Sequence, residues 1–217
     1  MIIFGHRGAP GYPRRGENTI ASFKKALVSG AAGIEFDVRR CGDGRLVVIH
    51  DDTIDRTTKG RGRVRDFSYE ILRQFEIPLL TDVLEEFGPQ CVLNIEIKEP
   101  GIASDVKRSV LDRRLEQQVI VSSFEWEELP TFVPEIPIAL LSSKLKNLIS
   151  HASTVGAGAI HPRCDIVTEA LITQAHEAKL RVHAWTVNDP AEMLRLNALG
   201  IDGIFTDFPE LWATFAS

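Results

Sequence analysis

No stretch of this chain approaches the ~18 consecutive apolar residues of a membrane-spanning helix, so no integral membrane segment is expected. Positive charge is short as well. With 25 Lys and Arg against 30 Asp and Glu the formal charge is −5, and a surface of that sign repels nucleic acid and anionic membranes. Basic residues that matter are therefore expected locally, in a pocket. Cysteine is sparse: Cys41, Cys91 and Cys164 are odd in number, far apart and in no paired-ligand spacing. This excludes a disulfide framework and fits reduced thiols packed as small apolar groups in a cytoplasm. The apolar start Met1-Ile2-Ile3 leaves no space for a secretory leader, which again points to a cytoplasmic protein. Gly-x-Ser-x-Gly, the P-loop glycine-lysine motif and Gly-x-Gly-x-x-Gly are all missing, so neither a serine nucleophile nor a dinucleotide cofactor is suggested. No low-complexity tract or interdomain linker interrupts the chain.

What is present is a core-forming chain, 44% hydrophobic over 217 residues, a length that barrel folds use as one unit. Short apolar or β-branched runs recur at 2–5, 33–38, 46–50, 91–97, 118–122, 137–141, 157–160, 181–187 and 203–206, mostly with helical patterns between them. Thr19 precedes an Ile20, Phe23, Leu27 stripe that stops at Gly30, and Thr168 begins another through Leu171, Ile172 and Ala175. Asp189-Pro190-Ala191-Glu192 reads as an N-cap, a proline at the first helical position and a capping-box glutamate. Nine runs exceed an eightfold barrel by one, and Gly42-Asp43-Gly44-Arg45 identifies the extra one as the return strand of a hairpin. The expectation is one domain over 1–217, a (β/α)8 TIM barrel with a helix after each strand. A small polar, glycine-containing insertion at 52–80, with a short helix around Ser68–Phe75, is expected over the carboxyl-terminal mouth.

The chemistry-bearing residues cluster at strand ends: His6-Arg7, Glu35-Phe36-Asp37, His50-Asp51 and Glu96-Ile97-Lys98. In a parallel barrel these ends face one way and can converge on one site. Glu35 and Asp37 flank Phe36, so both project from one face, and inward acids need a cation or hydrogen bonds. With Glu96 they offer hard oxygen ligands suited to Mg2+ or Ca2+; the alternative is a salt-bridge network with Arg7 and Lys98. Arg7 and Lys98 suit an anionic group such as a phosphate, or charge balance within the site. His6 and His50 suit a general acid and a general base near neutral pH. A two-residue turn at Asp43-Gly44 would set His50 opposite Asp37, whereas a three-residue loop shifts that register by one. Glu17 and Asn18 either belong to the site or precede it as helix-capping residues, with Asn18 or Thr19 as the cap. Phe124 and Trp185 either line the pocket or finish the core, and His161 retains a possible substrate-side role.

Read in order, several motifs resemble the glycerophosphodiester phosphodiesterase family, and its compact bacterial cytosolic type in particular. They are His6-Arg7-Gly8, Glu17-Asn18-Thr19, Glu35-Phe36-Asp37-Val38, Asp43-Gly44, His50-Asp51-Asp52-Thr53 and Asp55-Arg56-Thr57-Thr58. Glu96-Ile97-Lys98, Ser123-Phe124, Trp185-Thr186-Val187-Asn188 and Gly203-Ile204-Phe205-Thr206-Asp207 continue the set, which spans residues 2 to 212. The resemblance implies a metal-dependent TIM-barrel enzyme that cleaves small glycerophosphodiesters to sn-glycerol 3-phosphate and an alcohol. It implies His6 and His50 as the acid/base pair, and Glu35, Asp37 and Glu96 as ligands of Mg2+ or Ca2+. It also implies Arg7 and Lys98 on the phosphate, with Phe124 and Trp185 on the glycerol side. The segment after Thr58 lacks the longer aromatic-containing loop common in relatives, so the resemblance does not extend to contacts with the leaving alcohol, and a broad specificity is expected. Competing readings are lysophospholipase D-type cleavage, which needs an apolar groove, and a non-catalytic barrel that binds metal and phosphate. Metal-dependent sugar isomerisation on the same fold is disfavoured by the paired cations.

Overall fold

The computed structural model describes residues 1–11 and 16–215. Its strands are β1 (Ile2–His6), β2 (Gly33–Arg40), β3 (Leu46–Val48), β4 (Val92–Ile97), β5 (Val119–Ser123), β6 (Ile138–Ser142), β7 (Ala159–Pro162), β8 (Arg181–Ala184) and β9 (Gly203–Thr206). The parallel ladder runs β1-β9-β8-β7-β6-β5-β4-β2 and closes through a β1–β2 pairing, so eight strands form the barrel. β3 alone is antiparallel, hung on β2. The helices are α1 (Ile20–Val28), α2 (Tyr69–Leu72), α3 (Leu80–Phe87), α4 (Ala103–Leu111), α5 (Leu148–Thr154), α6 (Glu169–Glu177), α7 (Pro190–Ala198) and α8 (Pro209–Ala213).

Alternation along each strand sorts the side chains. Ile34, Phe36 and Val38 go outward into the layer beneath the helices, where Phe23 of α1 packs against Phe36 at 5.7 Å and Phe87 of α3 at 5.6 Å between ring centroids. Each such ring, fully buried, contributes roughly 1.5–3 kcal/mol of apolar transfer. The opposite face of the same strand carries Glu35 and Asp37 into the barrel.

Caps explain where the helices begin. Thr19 accepts from the Ser22 amide at 3.2 Å and Thr168 from the Leu171 amide at 3.2 Å, each satisfying an orphan donor of the first turn. Asp189 caps the Ala191 amide at 3.0 Å with Pro190 behind it. The expected Glu192 capping box does not form: the Glu192 carboxylate instead binds Arg195, a stronger charge-assisted partner one turn on. Nor does every crossover carry an α-helix. Between β5 and β6 the chain makes a 3-10 helix, Trp126–Phe132, because Pro130 at an interior position removes a helix donor.

The hairpin closes with three residues rather than two. Cys41 pairs with Arg45 around Gly42-Asp43-Gly44, with Gly44 at φ +86° in the left-handed conformation that glycine tolerates best. The register moves by one, so Asp37 opposes Ile49 and not His50. Beyond β3 the insertion builds its own apolar cluster from Ile54, Val64, Leu72 and Ile77 against Val47 and Ile49 of the hairpin. Leu46 and Val48, alternating with them, join the main core. The expected helix near Ser68–Phe75 appears as α2 followed by a 3-10 turn at Arg73–Phe75. All three cysteines are free thiols; Cys41 belongs to the second cluster, while Cys91 and Cys164 pack against the first. Among the described residues no helix is long and apolar enough to cross a membrane.

Candidate active site

Register carries the strand-end residues together. His6 neighbours Glu35 across β1–β2, Glu35 neighbours Asn94, and Asp37 neighbours Glu96 across β2–β4. These inward positions frame a cavity of about 200 Å³ lined by His6, Arg7, Glu35, His50, Glu96 and Lys98. Phe124 and Trp185 line it too, their rings meeting edge to face at 5.4 Å. The Trp185 indole donates to the His161 carbonyl at 2.8 Å, which fixes the ring. Asp37 is fully buried behind the cavity wall.

The three acids are packed closely enough that ligand oxygens of Glu35, Asp37 and Glu96 lie within 4.8 Å of one another. Burial and the two neighbouring carboxylates push Glu35 well above the ordinary carboxylate range, and burial and Asp37 push Glu96 up to about 7. Burial opposes ionisation of Asp37 as well, but Arg7, Lys98 and the Asn18 amide bring it below its usual value. Lys98 Nζ donates to Glu96 at 2.5 Å and lies 3.5 Å from Asp37 Oδ1. That Asp37 oxygen is buried without a hydrogen-bond donor. An orphaned hard oxygen beside two carboxylates, with two cations against three acids, fits a divalent cation. The acids that pair with Arg7 and Lys98 are thus the same ones that could hold a cation.

The loop after β1 is bent so that it serves this cluster. Arg7 sits at φ +54° and Asn18 at φ +56°, both left-handed and rare outside glycine. The bend turns the Arg7 amide onto Glu35 Oε2 at 2.8 Å, while the Arg7 carbonyl accepts from the Asn18 amide at 3.0 Å and the Ser22 hydroxyl at 3.0 Å. Gly8 follows at φ +88°, where an added Cβ would lie 2.4 Å from Ser22 Oγ. Since Thr19 is the cap, Asn18 is released from that task and donates to Asp37 at 2.8 Å. The Arg7 guanidinium donates to Glu17 at 2.9 Å and lies 3.3 Å from Asp37. Glu17 and Asn18 are thus tied by hydrogen bonds to Arg7 and Asp37, and Thr19 is the helix cap.

Each site histidine has one nitrogen committed. His6 Nδ1 lies 2.8 Å from Asp207 Oδ1 and His50 Nδ1 lies 2.7 Å from Asp51 Oδ1. An ionised carboxylate only accepts, so Nδ1 carries the proton in both rings and Nε2 is the nitrogen left for chemistry. Asp207 is in turn oriented by Asn188, whose amide donates at 2.6 Å. Burial lowers the affinity of both rings for a second proton. In the sequence Asp207 and Asn188 stand only as members of longer motifs. The signal was topological: closure of the barrel pairs Gly5 with Thr206, which brings the next two residues alongside.

At the floor of the cavity, which His161 lines, His161 Nε2 and His183 Nδ1 share one hydrogen bond at 3.1 Å, both rings buried among Phe4 and Phe205. Burial pushes His183 down to about 4 and His161 well below its ordinary value. A buried ring that resists protonation makes folding weaker as pH falls through the window between its folded and unfolded values, because the unfolded chain binds the extra proton. Relative to a His183→Phe variant, wild-type stability should fall by about 3 kcal/mol between neutral pH and the His183 value of about 4. Paired urea titrations across that range would read the difference; a constant difference would rule the buried pair out as the cause.

The comparisons with known proteins agree with this geometry. Residues 6–211 match the family model described as the glycerophosphoryl diester phosphodiesterase family. A glycerophosphodiester phosphodiesterase of Bacillus altitudinis is 37% identical, over 96% of this chain and 95% of that protein. The crystal structure of a glycerophosphodiester phosphodiesterase from Agrobacterium tumefaciens superposes with a TM-score of 0.86 at 26% identity, covering 99% of each chain. A phosphodiesterase of Oleispira antarctica, solved in complex with the product sn-glycerol-3-phosphate, shares the fold with a TM-score of 0.85 at 24% identity, covering 100% of this chain and 97% of that one. With a family model spanning nearly its whole length and a relative that is similar from end to end, this chain belongs to the glycerophosphoryl diester phosphodiesterase family and is an enzyme of that family.

Proposed function

We propose that the chain hydrolyses small glycerophosphodiesters to sn-glycerol 3-phosphate and an alcohol, with Mg2+ or Ca2+ held by Glu35, Asp37 and Glu96. The observation that carries this reading is one cavity lined by two cations, two carboxylate-anchored histidines, Glu35 and Glu96, with Asp37 buried directly behind the two acids. A bound divalent ion would supply charge neutralisation at the phosphate and Lewis acidity. Arg7 and Lys98 hold the phosphate oxygens, Arg7 from a backbone already pinned by Glu35 and Ser22. One imidazole Nε2 takes a proton from the attacking hydroxyl and the other gives a proton to the leaving alcohol. Attack by water yields glycerol 3-phosphate directly, whereas attack by the substrate's own glycerol hydroxyl yields a cyclic phosphate that a water then opens in a second displacement. Asp207 and Asp51 keep each ring in the tautomer that permits this and stabilise the imidazolium as it forms.

Cavity size favours deacylated substrates over lysolipids. About 200 Å³ lies below the roughly 300–1,000 Å³ of pockets for drug-sized ligands, and an acyl chain would need a further apolar groove. Phe124, 45% exposed at the rim, and Trp185 offer an apolar wall of the size of a glycerol backbone. The insertion packs beside the hairpin and reaches the site network through Arg56, so it shapes one edge of the mouth and leaves the leaving-alcohol side open.

The test is release of glycerol 3-phosphate from glycerophosphocholine and glycerophosphoethanolamine with Mg2+, Ca2+ or EDTA. Turnover restored by metal and abolished by EDTA is expected, with similar rates for the two headgroups. Release of only lysophosphatidic acid from lysolipids would replace the substrate class, and undiminished turnover in EDTA would remove the metal.

A further inference from the structure

We infer that Arg56, at the near end of the insertion, is a positioning residue that locks both halves of the site at once; the inference rests on the phosphodiesterase reading above. Arg56 Nε donates to Asp51 Oδ2 at 2.7 Å and Nη2 to Asp51 Oδ1 at 3.0 Å, a two-point grip on the carboxylate that anchors His50. The other edge of the same guanidinium donates to Glu17, Nη2 to Oε1 at 2.6 Å and Nη1 to Oε2 at 3.0 Å. Glu17 is the carboxylate that binds Arg7. A continuous path of charged hydrogen bonds thus runs His50–Asp51–Arg56–Glu17–Arg7, from an acid/base group to a phosphate group. Planar double forks of this kind need arginine; lysine, a point charge, holds one carboxylate or the other.

The insertion is built to aim this side chain. Asp55, its neighbour, accepts from the Gly62 amide at 2.9 Å, and the Thr58 hydroxyl donates to the Ile54 carbonyl at 2.7 Å. The Ile54 amide donates to the Gly62 carbonyl at 3.0 Å, and Ile54 itself is fully buried in the second cluster. Arg56 therefore rises from a loop stitched to itself on both sides. Its side chain is 44% exposed, while the Glu17 carboxylate it covers is 1% exposed. An exposed pair taken alone contributes little, but each carboxylate here is already engaged with a site residue. Loss of Arg56 frees Asp51 to rotate away from His50 and returns Glu17 wholly to Arg7.

The experiment compares wild type, Arg56→Ala, Arg56→Lys, Asp51→Asn and the double Arg56→Ala, Asp51→Asn variant in the glycerophosphodiester assay, with melting temperatures measured in parallel. Arg56→Ala should lower kcat/KM by about 10–100-fold, the range typical of residues that orient a reacting group from behind. Exposure of the site lets added guanidinium enter, so millimolar guanidinium should recover part of the loss in Arg56→Ala and none in wild type. Arg56→Lys should fall between the two. In the Asp51→Asn background, the further loss on removing Arg56 should be smaller than in wild type, because the shared carboxylate is already gone. Activity of Arg56→Ala within two-fold of wild type overturns the inference, as does a loss that multiplies fully in the double variant or that guanidinium leaves unchanged. Wild-type protein without activity in the same assay would instead overturn the substrate reading.

Discussion

Replacement of His6 or His50 by alanine should lower kcat by about 10²–10⁴-fold while leaving the barrel folded, the range that a positioned proton donor or acceptor contributes. Both rings enter the cavity with Nδ1 held by a carboxylate, so each variant deletes a proton path and not a structural pillar. His50 is part-buried and tied to the neighbouring Asp51, and its backbone carbonyl remains held by the Arg39 guanidinium at 2.8 Å. His6 is buried, but Asp207 keeps the amide of Asn188. Because the two groups act on the two ends of one displacement, the double variant should be little worse than the weaker single one. Steady-state kinetics beside circular dichroism would decide it: near-wild-type turnover from either variant would sink the acid/base assignment.

The barrel and most of the residues gathered at the candidate site are legible because they depend on local pattern. Apolar runs mark the strands, Asp43-Gly44 marks the one reversal, and alternation around Phe36 puts Glu35 and Asp37 on one face. Thr19, Thr168 and Pro190 announce helix starts through chemistry that is complete within four residues. What sequence could not deliver depends on distance or on competition. The Asp207 partner of His6 is 201 residues away and follows only from closure of the ring. The hairpin register turned on whether Gly42 joined the ladder or the loop, and the Gly42 amide instead donates to the Phe67 carbonyl of the insertion at 2.7 Å. Glu192 had two candidate partners, and the charged one won. Arg56 stood in plain view within a polar loop, but its reach to Glu17 required the fold of the whole insertion.

The acidic cluster yields the other large effect, and it separates a cation site from a mere salt-bridge network. In metal-free protein Glu96, raised to about 7 from an ordinary 4.5, is a group whose stabilising form is the protonated one. That contribution is complete below about pH 4.5 and is lost as pH rises through its folded value, so Glu96→Gln should stabilise the metal-free protein by on the order of 1–3 kcal/mol at about pH 8 and by little at acid pH. Gln still offers a carbonyl oxygen to Lys98, so the Lys98 ammonium keeps an acceptor there beside Asp37. Asp37→Ala should behave in the opposite way. It strips two part-buried cations, Arg7 and Lys98, of the fully buried counter-charge they share and should cost up to about 3–5 kcal/mol, the range for breaking a buried ion pair. Both variants should lose activity, since each removes the negative charge of one of the three carboxylates whose oxygens meet within 4.8 Å. Saturating Mg2+ or Ca2+ should raise the wild-type unfolding free energy by about 2.7 kcal/mol at a hundred times the dissociation constant, and should leave Glu96→Gln nearly unmoved. Thermal unfolding with and without metal measures both terms. A wild-type protein indifferent to either ion, with Glu96→Gln as active as wild type, would leave the three acids as charge balance for Arg7 and Lys98 alone. A stabilised but inactive Glu96→Gln would mean that the chain bears the repulsion of three buried carboxylates because catalysis requires the cation they attract.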